Sequence, residues 1–470
     1  MKCNRNHMKK ILLLNMALGL AGASSLMAGT VDVFITGSTA FRANVYNACT
    51  KLYVGAAPTI YYADAAHGGA NSGFSASTSS WVMTGTPVTA LTSISGNTLV
   101  IHGFFTGSIQ GIQTTEQGTK LVFAKASGTP GGNADSYVTN APTIGFSDAS
   151  GVASPYPATG NFVEEQVCVQ PFVMCKSEAA SGPVTEITNV TWEQLEYGIP
   201  QGRIPLAAWT YQTADTNTFV YLLQRTKDSG TRRCETQGAY YSFNQAVGVY
   251  IYDITNKSFY IPTVTTNFAA GCAVQSAGVI GTEGPGLSTS ANNAGANMNW
   301  GFGYIGGGDI KTALNDVNAA DQAIAYLSIS DSKGVGTANW NNVISYNGIW
   351  PTAAGPGIHG NSGTNDFSPI TLGYYPLWGF EVLVHYSAPS SGSVIPGQDL
   401  TGLQLGDEYT PGSFMGVFNA QSINNGGVVT VGSIENEIII SQPTGATAIP
   451  LAAMANTRPN VGGVINPPFN

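Results

Sequence analysis

Three times in its first half the chain runs an apolar, strand-like segment straight into a turn of small hydroxyl or acidic residues. Val31 to Thr36 leads into Gly37-Ser38-Thr39, Leu99 to Phe105 into Thr106-Gly107-Ser108-Ile-Gln-Gly111, and Pro142 to Ser147 into Asp148. After the first turn, apolar residues recur at Phe41, Val45, Cys49 and Leu52, a helical spacing that predicts a helix over 40–52. A strand, a short turn and a helix leave unpaired backbone N–H groups and the positive end of a helix dipole facing the turn, which suits an anion. Open α/β sheets gather ligands beyond such strand ends. Gln166 to Met174 reads as a fourth strand, and Thr191 to Tyr197 as a short helix with Thr191 as its N-cap. The Gly/Ser/Thr-rich stretch from His67 to Asn97 reads as an inserted surface loop or hairpin.

Composition excludes two classes. With 18 Lys and Arg against 27 Asp and Glu the formal net charge is −9, the wrong sign for a nucleic-acid binder. Hydrophobic residues make up 43% of the chain and charged ones only 10%, which is not the composition of a disordered protein. The 470 residues suggest two or three lobes. Lys2, Arg5, Lys9 and Lys10 precede the apolar run Ile11 to Ala23, the pattern of a signal peptide over 1–28. That run is too short to span a bilayer, so the expectation is a periplasmic or extracellular protein with no membrane insertion after cleavage. Beyond the leader stand Cys49, Cys168, Cys175, Cys234 and Cys272. Cys168 and Cys175 fall in one extended run, too far apart to bridge at about 3.3 Å per residue. Cys234 with Cys272 is the better pair, and buried thiols are the alternative.

Phe219 to Arg225 reads as a strand that enters Thr-Lys-Asp-Ser229-Gly230-Thr231-Arg232-Arg233, the most basic segment of a cation-poor chain. Arg225-Thr-Lys-Asp-Ser229-Gly230-Thr231 resembles the Arg-x-x-x-Ser-Gly-Thr segment of the phosphate-binding proteins of bacterial ABC transporters, which are type II periplasmic binding proteins. Other blocks occur in that family's order: Ile35-Thr-Gly-Ser-Thr-Ala-Phe41, Gly145-Phe-Ser-Asp148, Thr191-Trp-Glu-Gln-Leu, Ala323-Ile-Ala-Tyr326 and Tyr375-Pro376-Leu377. The chain departs from the pattern in three places. Its first loop lacks one glycine, Arg42 is an extra cation, and Ala325 replaces a glycine.

The resemblance implies a phosphate site built from Ser38, Thr39 and Phe41, the last two through backbone N–H, with the 106–108 turn supplying the Ser108 hydroxyl. Asp148, Arg225, Ser229, Gly230 and Thr231 complete it, with no cofactor and no metal. The residues make chemical sense on their own terms. Arg225 presents a planar fork to two oxygens of a tetrahedral anion, Ser229 and Thr231 add hydroxyls, and Gly230 admits the backbone closely. A carboxylate at 148 accepts the proton that phosphate retains near neutral pH, whereas sulfate has none. Like charges at about 4 Å repel by about 4 kcal/mol at an effective dielectric of 20, roughly three decades of affinity. Set against this, Ser-Gly-Thr is also an ordinary turn, Asp148 is also a plausible helix cap, and Arg232 and Arg233 read as a solvated face beside the site.

The fold class expected is α/β, a two-lobe, type II periplasmic-binding-protein-like architecture with mixed sheets and an interlobe cleft. Residues 30–160 and 376–390 form lobe one, 161–375 lobe two, and 391–470 a C-terminal extension of no assigned role. Within lobe two, 281–309 and 331–368 read as insertions. The function expected is capture of inorganic phosphate, or a similar oxyanion, for ABC-type uptake through a permease partner, without enzymatic activity. The alternative is a secreted structural or adhesive surface protein that keeps the scaffold and binds nothing.

Overall fold

The computed structural model describes residues 29–64, 67, 74–76, 78–105, 107–151, 162–178, 183–226, 229–241, 247–253, 257–261, 303–304, 306–318, 321–333, 335–336, 342–353, 366–386, 414–418, 423–425, 428–430 and 448–449. The leader, Thr106, Cys272 and the apolar run after Glu437 lie outside them.

In chain order the first part comprises strand β1 (Thr30–Gly37), helix α1 (Arg42–Thr50), strands β2 (Thr59–Tyr62), β3 (Ser80–Gly85) and β4 (Thr98–Phe104), and helix α2 (Ser108–Glu116). A hairpin of β5 (Leu121–Ala124) and β6 (Tyr137–Asn140) and then strand β7 (Ile144–Ser147) follow. The long strand β8 (Phe162–Lys176) leads to β9 (Asn189–Val190), α3 (Trp192–Gln201), β10 (Arg203–Pro205), α4 (Ala207–Thr210), β11 (Phe219–Leu223) and α5 (Gly230–Gly238). Next come the hairpin β12 (Ile251–Asp253) and β13 (Ser258–Tyr260), then α6 (Gly307–Asp316), β14 (Gln322–Ser328), α7 (Ile329–Ser332), β15 (Val343–Tyr346), α8 (Ser368–Thr371) and β16 (Trp378–Tyr386).

The main sheet runs in the order β10-β11-β14-β8-β16-β7-β1-β4-β3-β2, with β15 pairing to β8 and β9. It is mixed: β1 is parallel to β4 and β7, and β11 to β14, while β16 is antiparallel to both β7 and β8. Two cores flank its halves. Val33 and Ile35 of β1 pack with Phe41, Val45 and Cys49 around the start of α1, and Trp81, Ile101, Phe146 and Cys168 join them. The opposite face of β1 puts Phe34 against Phe104, Leu121 and Phe123, so the β5–β6 hairpin covers that side. In the second half Val173 and Met174 of β8, Leu195 and Ile199 of α3, Leu222 of β11 and Ile324 of β14 form the larger core. This is the two-lobed mixed α/β fold expected from the sequence, with one difference. The sheets of the two lobes are hydrogen-bonded into a single sheet through β8 and β16.

Several local expectations change. The described part of the stretch 67–97 supplies β3, antiparallel to β2 and so hairpin-like, but its Trp81 and Met83 are fully buried in the first core rather than at the surface. Large apolar side chains at alternate positions outweighed the surrounding Gly, Ser and Thr. The stretches read as insertions take in the start of α6, Gly307 to Asp309, and all of β15. The fourth strand extends well beyond Gln166 to Met174 at both ends. Arg232 and Arg233 are buried, not solvated. From the C-terminal region, Phe414, Phe418 and Ala448 enter the lobe-one core, and Ile449 bridges to Val169 on β8.

Candidate functional site

Three helix N-termini meet where β1, β4, β7 and β11 end. Gly37 at the end of β1 has φ +126 and its backbone lies against Phe146 of β7, so no side chain fits there. The chain then turns through Ser38, whose N–H donates to the Phe146 carbonyl at 2.9 Å and whose hydroxyl accepts from the Phe41 N–H at 3.3 Å. Helix α1 starts at Arg42, which donates back to the Thr39 carbonyl. Helix α2 packs backbone to backbone on the strand ends: a Cβ on Gly111 would fall 2.6 Å from Gly37 Cα. That contact places Ser108, in the first turn of α2, over Asp148 just past β7.

Asp148 is the centre of this arrangement. Ser108 Oγ donates to Asp148 Oδ1, and Thr231 Oγ1, from the start of α5, donates to Asp148 Oδ2 at 3.1 Å. The Cys234 thiol donates to the Asp148 carbonyl at 3.1 Å, so this cysteine lies beneath the site, while its expected partner Cys272 is outside the described residues. Arg225, just past β11, donates from Nη1 to Thr231 Oγ1 at 3.4 Å, from Nη2 to Thr39 Oγ1 at 3.3 Å and from Nε to the Tyr304 carbonyl at 3.3 Å. The ends of β1 and β7 and the start of α2 therefore contribute Thr39, Asp148 and Ser108, and the end of β11 and the start of α5 contribute Arg225 and Thr231. Gly230 leaves the room that Asp148 occupies, because a Cβ there would fall on its Oδ1. Ser229 caps α5, its hydroxyl accepting from the Arg232 N–H at 3.4 Å.

Both charged groups are buried, at 1% and 4% exposure for Asp148 and Arg225. Burial pushes the Asp148 carboxyl above its ordinary range, against the opposing pull of Ser108, Arg225 and Thr231. Burial likewise lowers the Arg225 guanidinium, opposed by Asp331, Asp148 and Asp309. Arg42 feels Asp331 and Asp309 in the same way. The surroundings thus hold the Arg42 and Arg225 guanidinium groups and the Asp148, Asp309 and Asp331 carboxyl groups close together. Desolvated charges in such a cluster are stable only with partners in place, and an entering anion would have to draw away the Ser108 and Thr231 hydrogens that here go to Asp148.

All nine residues singled out in the sequence fall in this one region. Two of their groups serve the backbone: the Phe41 N–H donates to Ser38, and the Ser229 hydroxyl accepts from the Arg232 N–H. Each of these hydroxyls keeps its own hydrogen, whereas the Ser108 and Thr231 hydrogens go to Asp148. Arg232 is structural in a way the sequence reading missed: its Nη1 donates to the Arg225 carbonyl at 3.0 Å and pins the segment that carries the guanidinium. Asp309 and Asp331 were also missed. Each carried a readable signal, an acidic residue three positions after a capping residue, in Gly306-Gly-Gly-Asp309 and Ser328-Ile-Ser-Asp331.

Fold and site together define a two-lobed mixed α/β protein with a buried, hydroxyl-rich polar centre bridging the lobes. No family model matches the chain, and no curated protein does. Among solved structures, one named as a phosphate ABC transporter substrate-binding protein from Clostridium perfringens, with bound phosphate, is similar at 12% identity and a TM-score of 0.32, covering 75% of this chain and 86% of its own. A DING protein is similar at 13% identity and a TM-score of 0.31, covering 77% of this chain and 82% of its own.

Proposed function

We propose that the protein is an exported solute-binding protein that captures inorganic phosphate between its lobes. The observation that carries this reading is the pairing of a buried Arg225 fork with a buried Asp148 carboxyl through one hydroxyl, Thr231. A cation and hydroxyl donors suit the oxygens of a tetrahedral anion, and a carboxylate among them suits only an anion that still carries a proton. The leader-like N-terminus supports export, and among the described residues no helix is long and apolar enough to cross a membrane. In this reading the ligand is handed unaltered to an ABC-type permease. Calorimetric titration of the purified protein with phosphate and with sulfate tests it: phosphate binds and sulfate does not.

A structural surface protein is the competing reading. In its favour, the C-terminal region is built into the lobe-one core through Phe414 and Phe418, so the scaffold has been extended in a way that capture of a small anion does not need. Absence of heat with either anion, from a protein that unfolds cooperatively, would decide for it.

A further inference from the structure

Beneath the candidate site, one carboxyl group plays no part in the contacts described above. Glu381 sits on β16, opposite Cys168 of β8 and immediately before a bulge in that pairing. It is fully buried, and among the described residues neither carboxyl oxygen has a partner in good hydrogen-bond geometry, the Ser38 hydroxyl being the donor near enough to act on it. A buried acid without partners is costly, and more so when ionised, so a structure that retains one needs a reason. Its surroundings supply it. Gly379, two residues earlier on the same face of the strand, lies against the Asp148 carbonyl, since a Cβ there would come within 2.7 Å of that oxygen. Glu381 therefore lies under the Asp148 end of the site floor, with the Ser38 hydroxyl close enough to act on it. The groups that act on its charge are Asp148 and the Ser38 hydroxyl, and Cys168 faces it from β8. Burial first, and the neighbouring Asp148 second, raise the Glu381 carboxyl well above the ordinary carboxylate range, while Ser38 opposes them. Burial keeps the Cys168 thiol neutral as well.

The hydrogen-bond stoichiometry of Ser38 then becomes decisive. A serine hydroxyl has one hydrogen and two acceptor lone pairs. One lone pair of Ser38 takes the Phe41 N–H. If Glu381 were ionised it would claim the single hydrogen, and nothing would remain for a ligand in the cleft. If Glu381 bears its proton, it can donate to the second lone pair, which leaves the serine hydrogen no acceptor but the ligand.

We infer that Glu381 is a positioning residue whose proton-bearing carboxyl donates to Ser38 Oγ and so turns the Ser38 hydrogen toward the bound anion. The inference rests on the phosphate reading proposed above. It places the acid behind the hydroxyl rather than against the ligand, and it ties anion affinity to a proton held within the sheet. An apolar enclosure that keeps a carboxylic acid neutral so that it can donate is established chemistry for a binding site.

The test is phosphate calorimetry on the whole protein and its E381Q, E381L, S38A and S38A/E381L variants, with infrared spectra of the ligand-free wild type and E381Q. Glutamine still donates, so E381Q should stay within about threefold of wild type, whereas E381L and S38A should each weaken phosphate by roughly tenfold, the loss of one hydrogen bond to a charged group. The double variant should bind no more weakly than S38A alone, because Glu381 acts only through that hydroxyl. As pH rises, wild type should lose affinity relative to E381Q. The spectrum of wild type should carry a protonated-carboxyl band that E381Q lacks. E381L binding like wild type, additive losses in the double variant, or no such band would each overturn the inference. If wild type binds no phosphate while the band is present, the phosphate reading fails and takes the role of Ser38 with it, but the neutral Glu381 stands.

Discussion

The Arg225 guanidinium reaches from the end of β11 to the turn after β1, where its Nη2 donates to the Thr39 hydroxyl at 3.3 Å. One side chain thus joins two segments 186 residues apart at the point where the anion is expected.

Arg225→Ala should abolish measurable phosphate binding while leaving the fold intact, because each charge-assisted hydrogen bond contributes about 1.5–3 kcal/mol and the fork supplies two or more. Arg225→Lys should recover only part of the affinity, since an ammonium cannot reproduce the fork. Thr39→Val should weaken phosphate by about tenfold. Titration calorimetry with circular dichroism on each variant checks all three, and wild-type affinity in Arg225→Ala would remove this residue from the site.

Asp148 governs selectivity. Near pH 7 the wild type should prefer phosphate over sulfate by roughly a hundredfold or more, from the like-charge repulsion that only sulfate meets. Asp148→Asn keeps the side chain's size and should narrow that ratio. Competition between the two anions in wild type and variant measures it, and equal affinities in the wild type would leave only a generic oxyanion site.

Gly230→Ala is expected to damage the site more than the fold. The added methyl would lie on Asp148 Oδ1 and 2.7 Å from Ser108 Cβ, so the carboxyl must move. Overpacking of this kind costs about 1–3 kcal/mol of stability. Phosphate affinity should fall by more than the loss of stability accounts for, a comparison that denaturant melts and titrations make directly.

Stability should carry the mark of Glu235. This residue of α5 is buried, accepts from Gln224 Nε2 at 3.1 Å, and is pushed by burial up to about 8, with Gln224 and Arg232 acting in the opposite sense. Between the ordinary glutamate value of about 4.5 and about 8 the folded protein binds a proton that the unfolded chain does not. This group's contribution to stability is therefore fully present below about 4.5 and is lost as pH rises through that window. Glu235→Gln should flatten the slope, read from urea unfolding midpoints across the same pH range. An unchanged slope would show that another group sets it.

What the sequence disclosed and what it hid follow from range. The turn at Ser38, the strand ending at Asp148 and the Arg225 to Thr231 segment are each local, a few residues whose spacing states their geometry. Strand β3 was hidden because the Gly, Ser and Thr around Trp81 outnumber the side chains that decide its burial. Arg232 was misjudged because its partner, the Arg225 carbonyl, is a backbone atom that no composition reveals. Asp309, Asp331 and Glu381 reach the site from segments distant in sequence: the capping pattern of the first two marks helix starts but not neighbours of Arg225, and Glu381 comes near only through the pairing of β16 with β7 and β8.

The 15-residue strand β8 and its antiparallel neighbour β16 belong to both halves of the sheet. Neither half can therefore be excised as an autonomous module: a cut across these strands would bare rows of unpaired N–H and C=O groups along each fragment. Unfolding should follow one transition rather than two. Because β16 must find β7 and β8 from far along the chain, the joining of the halves should also be a late event of folding, which stopped-flow refolding would show as the rate-limiting phase.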